Sequence, residues 1–134
     1  MEVEMEEFSL AFPGGKKVEV IYGKHRVLTD QPVENGGDDE AMAPFDLFMA
    51  SIISCSGIYA LSFLRQRNLN TEGLNIRMYP VWNNEEHRIS EIQLEVDTPE
   101  DFPEKYKGAL INVIGACAVK RHLETPPEIK VNIN

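Results

Sequence analysis

The sequence predicts an α+β domain, and three patterns predict it. Short runs of alternating apolar and polar residues occur before residue 30, between 74 and 97, and at Ile129, Val131 and Ile133, the period-two signature of half-buried strands. Leu47 to Leu64 is a run of 18 uncharged residues with no proline, too long for a strand. A third stretch sets Tyr106, Ala109, Leu110, Val113 and Ile114 at helical spacing. The parts are therefore antiparallel strands, one long helix and one shorter amphipathic helix.

In chain order, Phe8–Phe12, Val18–Tyr22 and His25–Thr29 read as three strands, parted by Pro13-Gly14-Gly15 and by Gly23. Val18, Val20 and Tyr22 share one face. Gln31 to Ala43, rich in Gly, Asp, Glu and Asn, is a loop, and its Asp38-Asp39-Glu40 is expected to be solvated. Pro44 then suits a first helical turn, where its missing N–H would have had no partner. The helix it opens runs to near Asn68, about 24 residues and roughly 36 Å. Leu74–Trp82 and Ile89–Asp97 follow as strands joined through Asn83-Asn84-Glu85-Glu86. In the second, Ile92, Leu94 and Val96 alternate with Glu91, Gln93 and Glu95, one face buried and the other wet. Tyr79 and Trp82, beside Met78, are expected in the core or at an interface. Asp101 and Glu104 have capping-box spacing ahead of the second helix, which stops near Gly115. A short helical turn from Cys117 to Leu123 precedes Pro126-Pro127, which breaks it, and Ile129 to Ile133 should form a last strand.

With 134 residues, the chain is expected to be a single domain spanning 1–134. Its 22 acidic against 13 basic side chains leave a net charge of −9, which repels phosphate backbones and anionic lipid, so nucleic acid is not an expected partner. The uncharged run would by length pass as a membrane span. Its serines, Gly57 and acidic N-terminal flank point instead to a buried helix of a soluble protein, with no membrane partner. A cylinder apolar on every side cannot be covered by one sheet and one shorter helix of so small a chain. The simplest cover is a second copy, two long helices packing across a two-fold axis. Two cysteines are too few for a secreted disulfide framework, and Met1 to Glu7 lacks the basic and apolar regions of a signal peptide, so a reducing cytoplasm is expected.

The chemistry rests on those cysteines. Each alone reads as a small core residue. Cys55, however, sits in Ser54-Cys55-Ser56-Gly57, a polar break in an apolar helix, and Cys117 follows Gly115-Ala116 and heads a turn with Lys120, Arg121 and His122 behind it. Brought together, such a pair can reduce a peroxide: one sulfur attacks the O–O bond and becomes a sulfenic acid, and the other condenses with it to a disulfide. His25 and Arg26 read as an exposed strand pair. His122, His25 and the cysteines lack the close ligand spacing of a zinc site, so no metal and no cofactor are expected.

Ala43-Pro44-Phe45-Asp46-Leu47-Phe48-Met49-Ala50-Ser51-Ile52-Ile53-Ser54-Cys55-Ser56-Gly57, with Gly115-Ala116-Cys117-Ala118-Val119-Lys120 further on, resembles the OsmC/Ohr family of osmotically inducible and organic-hydroperoxide-resistance proteins. The resemblance spans nearly the whole chain. It implies the OsmC-like fold, antiparallel sheets around a long central helix in an intertwined homodimer. It further implies hydroperoxide substrates, Cys55 as peroxidatic and Cys117 as resolving residue, and an external thiol reductant, in the family often a dihydrolipoyl protein. Phe45, Phe48, Ile52 and Tyr59 would supply apolar walls for an organic hydroperoxide. Active peroxidases of the family usually carry a Glu after the helix-opening proline and an Arg after the hairpin Gly-Gly; here Phe45 and Lys16 stand there. Lys16, His25 or Arg26 is then the candidate cation. Asp46, on the opposite helix face from Cys55 and roughly 13 Å along the axis, could serve only across an interface. The chain resembles the OsmC-like branch, whose alternative role is to bind an apolar ligand or partner in the interface cleft without efficient peroxidase chemistry.

Overall fold

A computed structural model describes residues 1–134. Its chain segregates into two compact units, Met1–Met49 and Ala50–Asn134, and each is described by itself.

The first unit is a three-stranded antiparallel sheet of β1 (Phe8–Gly14), β2 (Lys17–Tyr22) and β3 (His25–Thr29), with β2 in the middle. The register sets Leu10 opposite Val20 and Val20 opposite Val27, so the alternating apolar positions fall on one face. The first hairpin closes through Gly15, whose φ of 58° is a conformation that side chains disfavour. The apolar face stays uncovered on this chain: Phe8, Leu10 and Phe12 are 62%, 56% and 74% exposed. What organises the unit is polar. Asp30, fully buried, accepts the Gln31 N–H on one carboxylate oxygen and the Asp38 and Glu40 N–H groups on the other, while Lys17 Nζ reaches Asp38 at 2.8 Å, Glu40 at 3.3 Å and Asp30 at 3.6 Å. Asp38 and Glu40 are solvated as expected, their side chains 64% and 62% exposed, and both also gather around one lysine. Gly37 admits no side chain, because a Cβ there would lie 2.0 Å from the Gln31 carbonyl oxygen.

Helix α1 (Pro44–Gln66) leads into the second unit. Its polar break matters locally: Ser56 is buried and donates its hydroxyl to the Ile52 carbonyl at 2.8 Å. From Ile52 through Ser56, Ala60, Phe63 and Leu64, one stripe is buried, yet only 28% of the apolar stretch is. By length and composition α1 could cross a membrane. It ends on a left-handed reversal at Asn68 (φ 53°), with the Leu69 N–H donating to Leu64 and the Asn68 N–H to Arg65, the pairing that satisfies the last carbonyls of a helix.

Strands β4 (Asn75–Asn83) and β5 (Arg88–Asp97) form an antiparallel pair with Ile76 opposite Val96 and Met78 opposite Leu94. Helix α2 (Lys107–Gly115) and α3 (Ala118–Glu124) complete the unit. Its core is Ala60, Phe63, Leu64, Phe102, Leu110 and Ile114, and burying a leucine such as Leu64 or Leu110 stabilises by about 1.5–3 kcal/mol each.

The α+β class expected from the sequence is the class observed, and strands β1 to β5 fall where alternation placed them. Three expectations are corrected. Ile129, Val131 and Ile133 are 84%, 86% and 97% exposed and belong to no strand, because alternation specifies a face but cannot supply a ladder partner. No capping box forms at Asp101 and Glu104: Glu104–Tyr106 is a tight 3₁₀ turn behind Pro103, and Asp101 accepts from the Asn70 amide instead. Tyr79 and Trp82 lie outside the core of this chain, 47% and 53% exposed, so of the two places expected for them the interface is the one left. Ala109 is exposed rather than on the buried face of α2, which is set by Leu110 and Ile114.

Candidate functional site

Cys117 is reached by a sharp change of direction. Helix α2 closes with the Ala116 N–H on Val113 and the Cys117 N–H on Ile114, and Cys117 then takes extended backbone (φ −62°, ψ 156°) as the residue capping α3. Its carbonyl accepts the Arg121 N–H at 3.0 Å, its side chain makes no capping bond, and the residue is 1% exposed. The sulfur is left to face its surroundings. These are a cavity of about 260 Å³, walled by Ile52 and Ser56 of α1, Ile92 and Leu94 of β5, and Lys120 of α3. Ser56 gives its proton to its own helix, so the ammonium and the thiol are the groups able to act on a guest. Lys120 is placed by Gly115: a Cβ there would be 3.3 Å from its Nζ, so the cation lies against the carbonyl end of α2, where the helix dipole favours it.

Cys55, half-buried and unbridged, lies between Ile52 and Ser56 in sequence and about 60° round the helix from Ile52. It borders the turn of α1 that walls the Cys117 cavity without lining that cavity itself. Its face of α1 continues through Tyr59 and Ser62, which line a second cleft of about 300 Å³ together with Arg67. Ile52 and Tyr59, two of the residues expected to supply apolar walls, line separate cavities on this chain, seven residues and about 10 Å apart along the axis. Phe45 and Phe48 are 53% and 39% exposed, their rings 5.8 Å apart.

The candidate charges belong to the first unit. Arg26 is exposed and holds Glu19 at 2.8 Å; Lys16 is exposed beside the Gly15 turn; Asp46 is exposed in the first turn of α1, where the dipole favours an acid. His25 is exposed opposite Tyr22. His122 is occupied, its Nδ1–H donating to the Ala118 carbonyl at 2.7 Å. No group of three or more His, Cys, Asp or Glu side chains converges as a metal site.

Two polar residues escaped the sequence reading. Asp30 follows a strand and precedes a Gly- and Asp-rich loop, the context in which a carboxylate commonly gathers backbone N–H groups. Burial alone would raise its pKa, but the N–H groups of Gln31 and Glu40, then Lys17 and the Asp38 N–H, outweigh that and hold it below the ordinary value. Lys17 is raised above the usual lysine range, chiefly by its hydrogen bond to Asp38 and despite the cost of burial. Arg67 is the other. Nothing but its position after a long apolar run marked it.

The sequence model of a family described as OsmC-like protein matches residues 37–132. No curated protein matches the sequence significantly. Among solved structures, an osmotic stress induced and detoxification response protein from Psychrobacter arcticus superposes with a TM-score of 0.75 at 22% identity, covering 90% of this chain and 89% of that one. An OsmC like protein from Mycoplasma pneumoniae gives 0.69 at 13% identity over 98% and 95% of the two chains. A protein from Legionella pneumophila described as an organic hydroperoxide resistance protein OsmC gives 0.57 at 15% identity over 92% and 91%. At these identities the likeness is one of fold.

Proposed function

The chain belongs to the OsmC-like protein family, and from that premise we propose that it is a thiol-dependent peroxidase that reduces organic hydroperoxides through Cys55 and Cys117. The observation that carries the reading is the place of Cys117, a buried thiol facing a cavity whose far wall is the turn of α1 that bears Cys55. The Cys55 thiolate would attack the terminal peroxide oxygen, breaking the O–O bond, so that the sulfur becomes a sulfenic acid and the alkoxide RO⁻ leaves and takes a proton from solvent as ROH. The Cys117 thiol then displaces water to form the disulfide, and two equivalents of an external thiol, a dihydrolipoyl group being one candidate, restore both cysteines while becoming a disulfide themselves. A reducing cytoplasm belongs to this reading.

A homodimer belongs to it as well. Large parts of α1, the β1–β3 face and the alternating tail are uncovered on one chain, and a two-stranded sheet such as β4–β5 is marginal alone. A second copy would cover these surfaces and give the tail a ladder partner. Light scattering at micromolar concentration should report two chains; a folded monomer removes this part.

The test of the chemistry separates the thiols. After one equivalent of cumene hydroperoxide, mass spectrometry should find a Cys55–Cys117 disulfide in the parent, a dimedone adduct on Cys55 in Cys117→Ser, and no turnover in Cys55→Ser. Oxidation starting on Cys117 would reverse the roles. A second reading has its own observation: Phe45 and Lys16 stand where the family's active peroxidases carry Glu and Arg, which favours a protein that binds an apolar ligand without efficient turnover. No consumption of any hydroperoxide with either monothiol or dithiol donors would select it.

A further inference from the structure

The reversal that ends α1 places Arg67 just past its last residue, Gln66, and fixes its backbone. The side chain folds back, the guanidinium carbon 3.5 Å from the centroid of the Phe63 ring and 5.5 Å from that of Tyr106, with Nη1 donating to the Phe63 carbonyl at 3.1 Å. Stacking holds the plane and one N–H is spent. The rest of the fork meets no acid, for Arg67 enters none of the chain's ion pairs. Lys105, its ammonium 5.1 Å from the Tyr106 ring centroid, also has no carboxylate partner, and the adjacent Glu104 is taken by Lys107 at 2.8 Å. In a chain of net charge −9, two cations flank one tyrosine without acidic partners.

Arg67 opens onto the cleft of about 300 Å³. Tyr59, Ser62 and Gln66 project into it from one face of α1, and their side chains make no hydrogen bond within the chain. Ile58 and Val113 supply apolar wall, and no carboxylate lines the site. Two hydroxyls, an amide and a stacked guanidinium are a set of donors awaiting an acceptor. The carbonyl end of α1 disfavours an anion by about half a charge, which the full charge of Arg67 outweighs.

We propose that this cleft binds a small organic carboxylate, its two oxygens on the free edge of Arg67, with Tyr59, Ser62 and Gln66 donating and the apolar body against Ile58 and Val113. The guanidinium fork matches a carboxylate in geometry as well as charge. Size limits the guest: a cavity of about 150 Å³ holds benzene, so about twice that admits an aryl or short alkyl acid. The site shares no lining residue with the Cys117 cavity and stands whether or not the thiols turn over peroxide.

The probe is 4-phenylbutyrate, titrated calorimetrically into the intact protein beside its neutral amide and inorganic phosphate. Saturable binding of the acid is expected, at least tenfold weaker for the amide, for phosphate and for Arg67→Gln, and a few-fold weaker for Ser62→Ala and Tyr59→Phe. The last two leave Arg67 in place and keep the test alive should Arg67→Gln not fold. Equal binding of acid and amide, or acid binding indifferent to all three substitutions, overturns the proposal. So does an absence of saturable binding by the acid; if Arg67→Gln also changes the oligomeric state, a second copy fills the cleft.

Discussion

The two units are built on opposite principles. In Ala50–Asn134 six apolar side chains make a core to which further partly buried ones are added, and this unit carries both thiols. In Met1–Met49 the buried side chains are Thr29, Asp30 and Met49, and the large apolar groups of the sheet face outward. The N-terminal unit is therefore held by a hydrogen-bonded sheet and a charge knot, and its apolar face is a surface waiting for cover. The difference teaches that stability and association are assigned to different side chains: truncations in one unit should unfold the chain, and truncations in the other should change what it binds.

The largest effect should come from Leu64→Ala or Leu110→Ala. Both sites are essentially inaccessible, so each should cost about 2–5 kcal/mol in urea unfolding. Phe12→Ser, at a site 74% exposed, should change urea stability little at low protein concentration while weakening self-association. Equal losses at both kinds of site would erase the distinction between the units. Next is Gly37→Ala, whose methyl would strike the Gln31 carbonyl and force the loop apart. A loss of about 1–3 kcal/mol is expected, read as faster amide exchange at 30–42 with protection around Leu64 and Leu110 preserved.

Acid should act on the knot in the same selective way. The folded-state pKa of Asp30 is depressed, so its contribution is fully present above the ordinary carboxyl range and is lost as pH falls through the folded value. Lowering pH toward 3 should release the 30–42 loop to limited proteolysis before the C-terminal core unfolds, and Asp30→Asn should expose the loop already at neutral pH. A loop still protected at acid pH would show that the sheet, not the carboxylate, holds it. The smallest effect belongs to Arg26→Gln. Arg26 is 61% exposed and its partner Glu19 25%, and a double-mutant cycle should assign the pair at most about 1 kcal/mol. A larger value would mean that the outer face of the first sheet is buried in the working protein.

Period and punctuation made most of the secondary structure legible. The alternation in Val18–Tyr22 and in Ile92, Leu94 and Val96, the proline that opens α1 and Gly115 that closes α2 are local signals that the structure keeps, whereas the equally local capping-box spacing of Asp101 and Glu104 gives way to a 3₁₀ turn behind Pro103. The strand expected at Ile129–Ile133 fails for a different reason, since a strand is a property of two chain segments and only one was read. The neighbours of the two cysteines made them candidates, but that Cys117 would be buried against a cavity walled by Ile52 and Ser56 depends on how α1, β5 and α3 meet. Asp30 had only the context of a strand end before a Gly- and Asp-rich loop, and Arg67 had no distinguishing local pattern; the first is defined by N–H groups from eight and ten residues away, and the second by the ring it covers. By itself the sequence determined the class of fold and most of its elements, because helix and strand periods are written locally. Which polar groups would be buried, which cavities would open beside the sulfur and the guanidinium, and which apolar faces would be left bare were decided only by tertiary packing, because burial depends on neighbours that are distant in the chain.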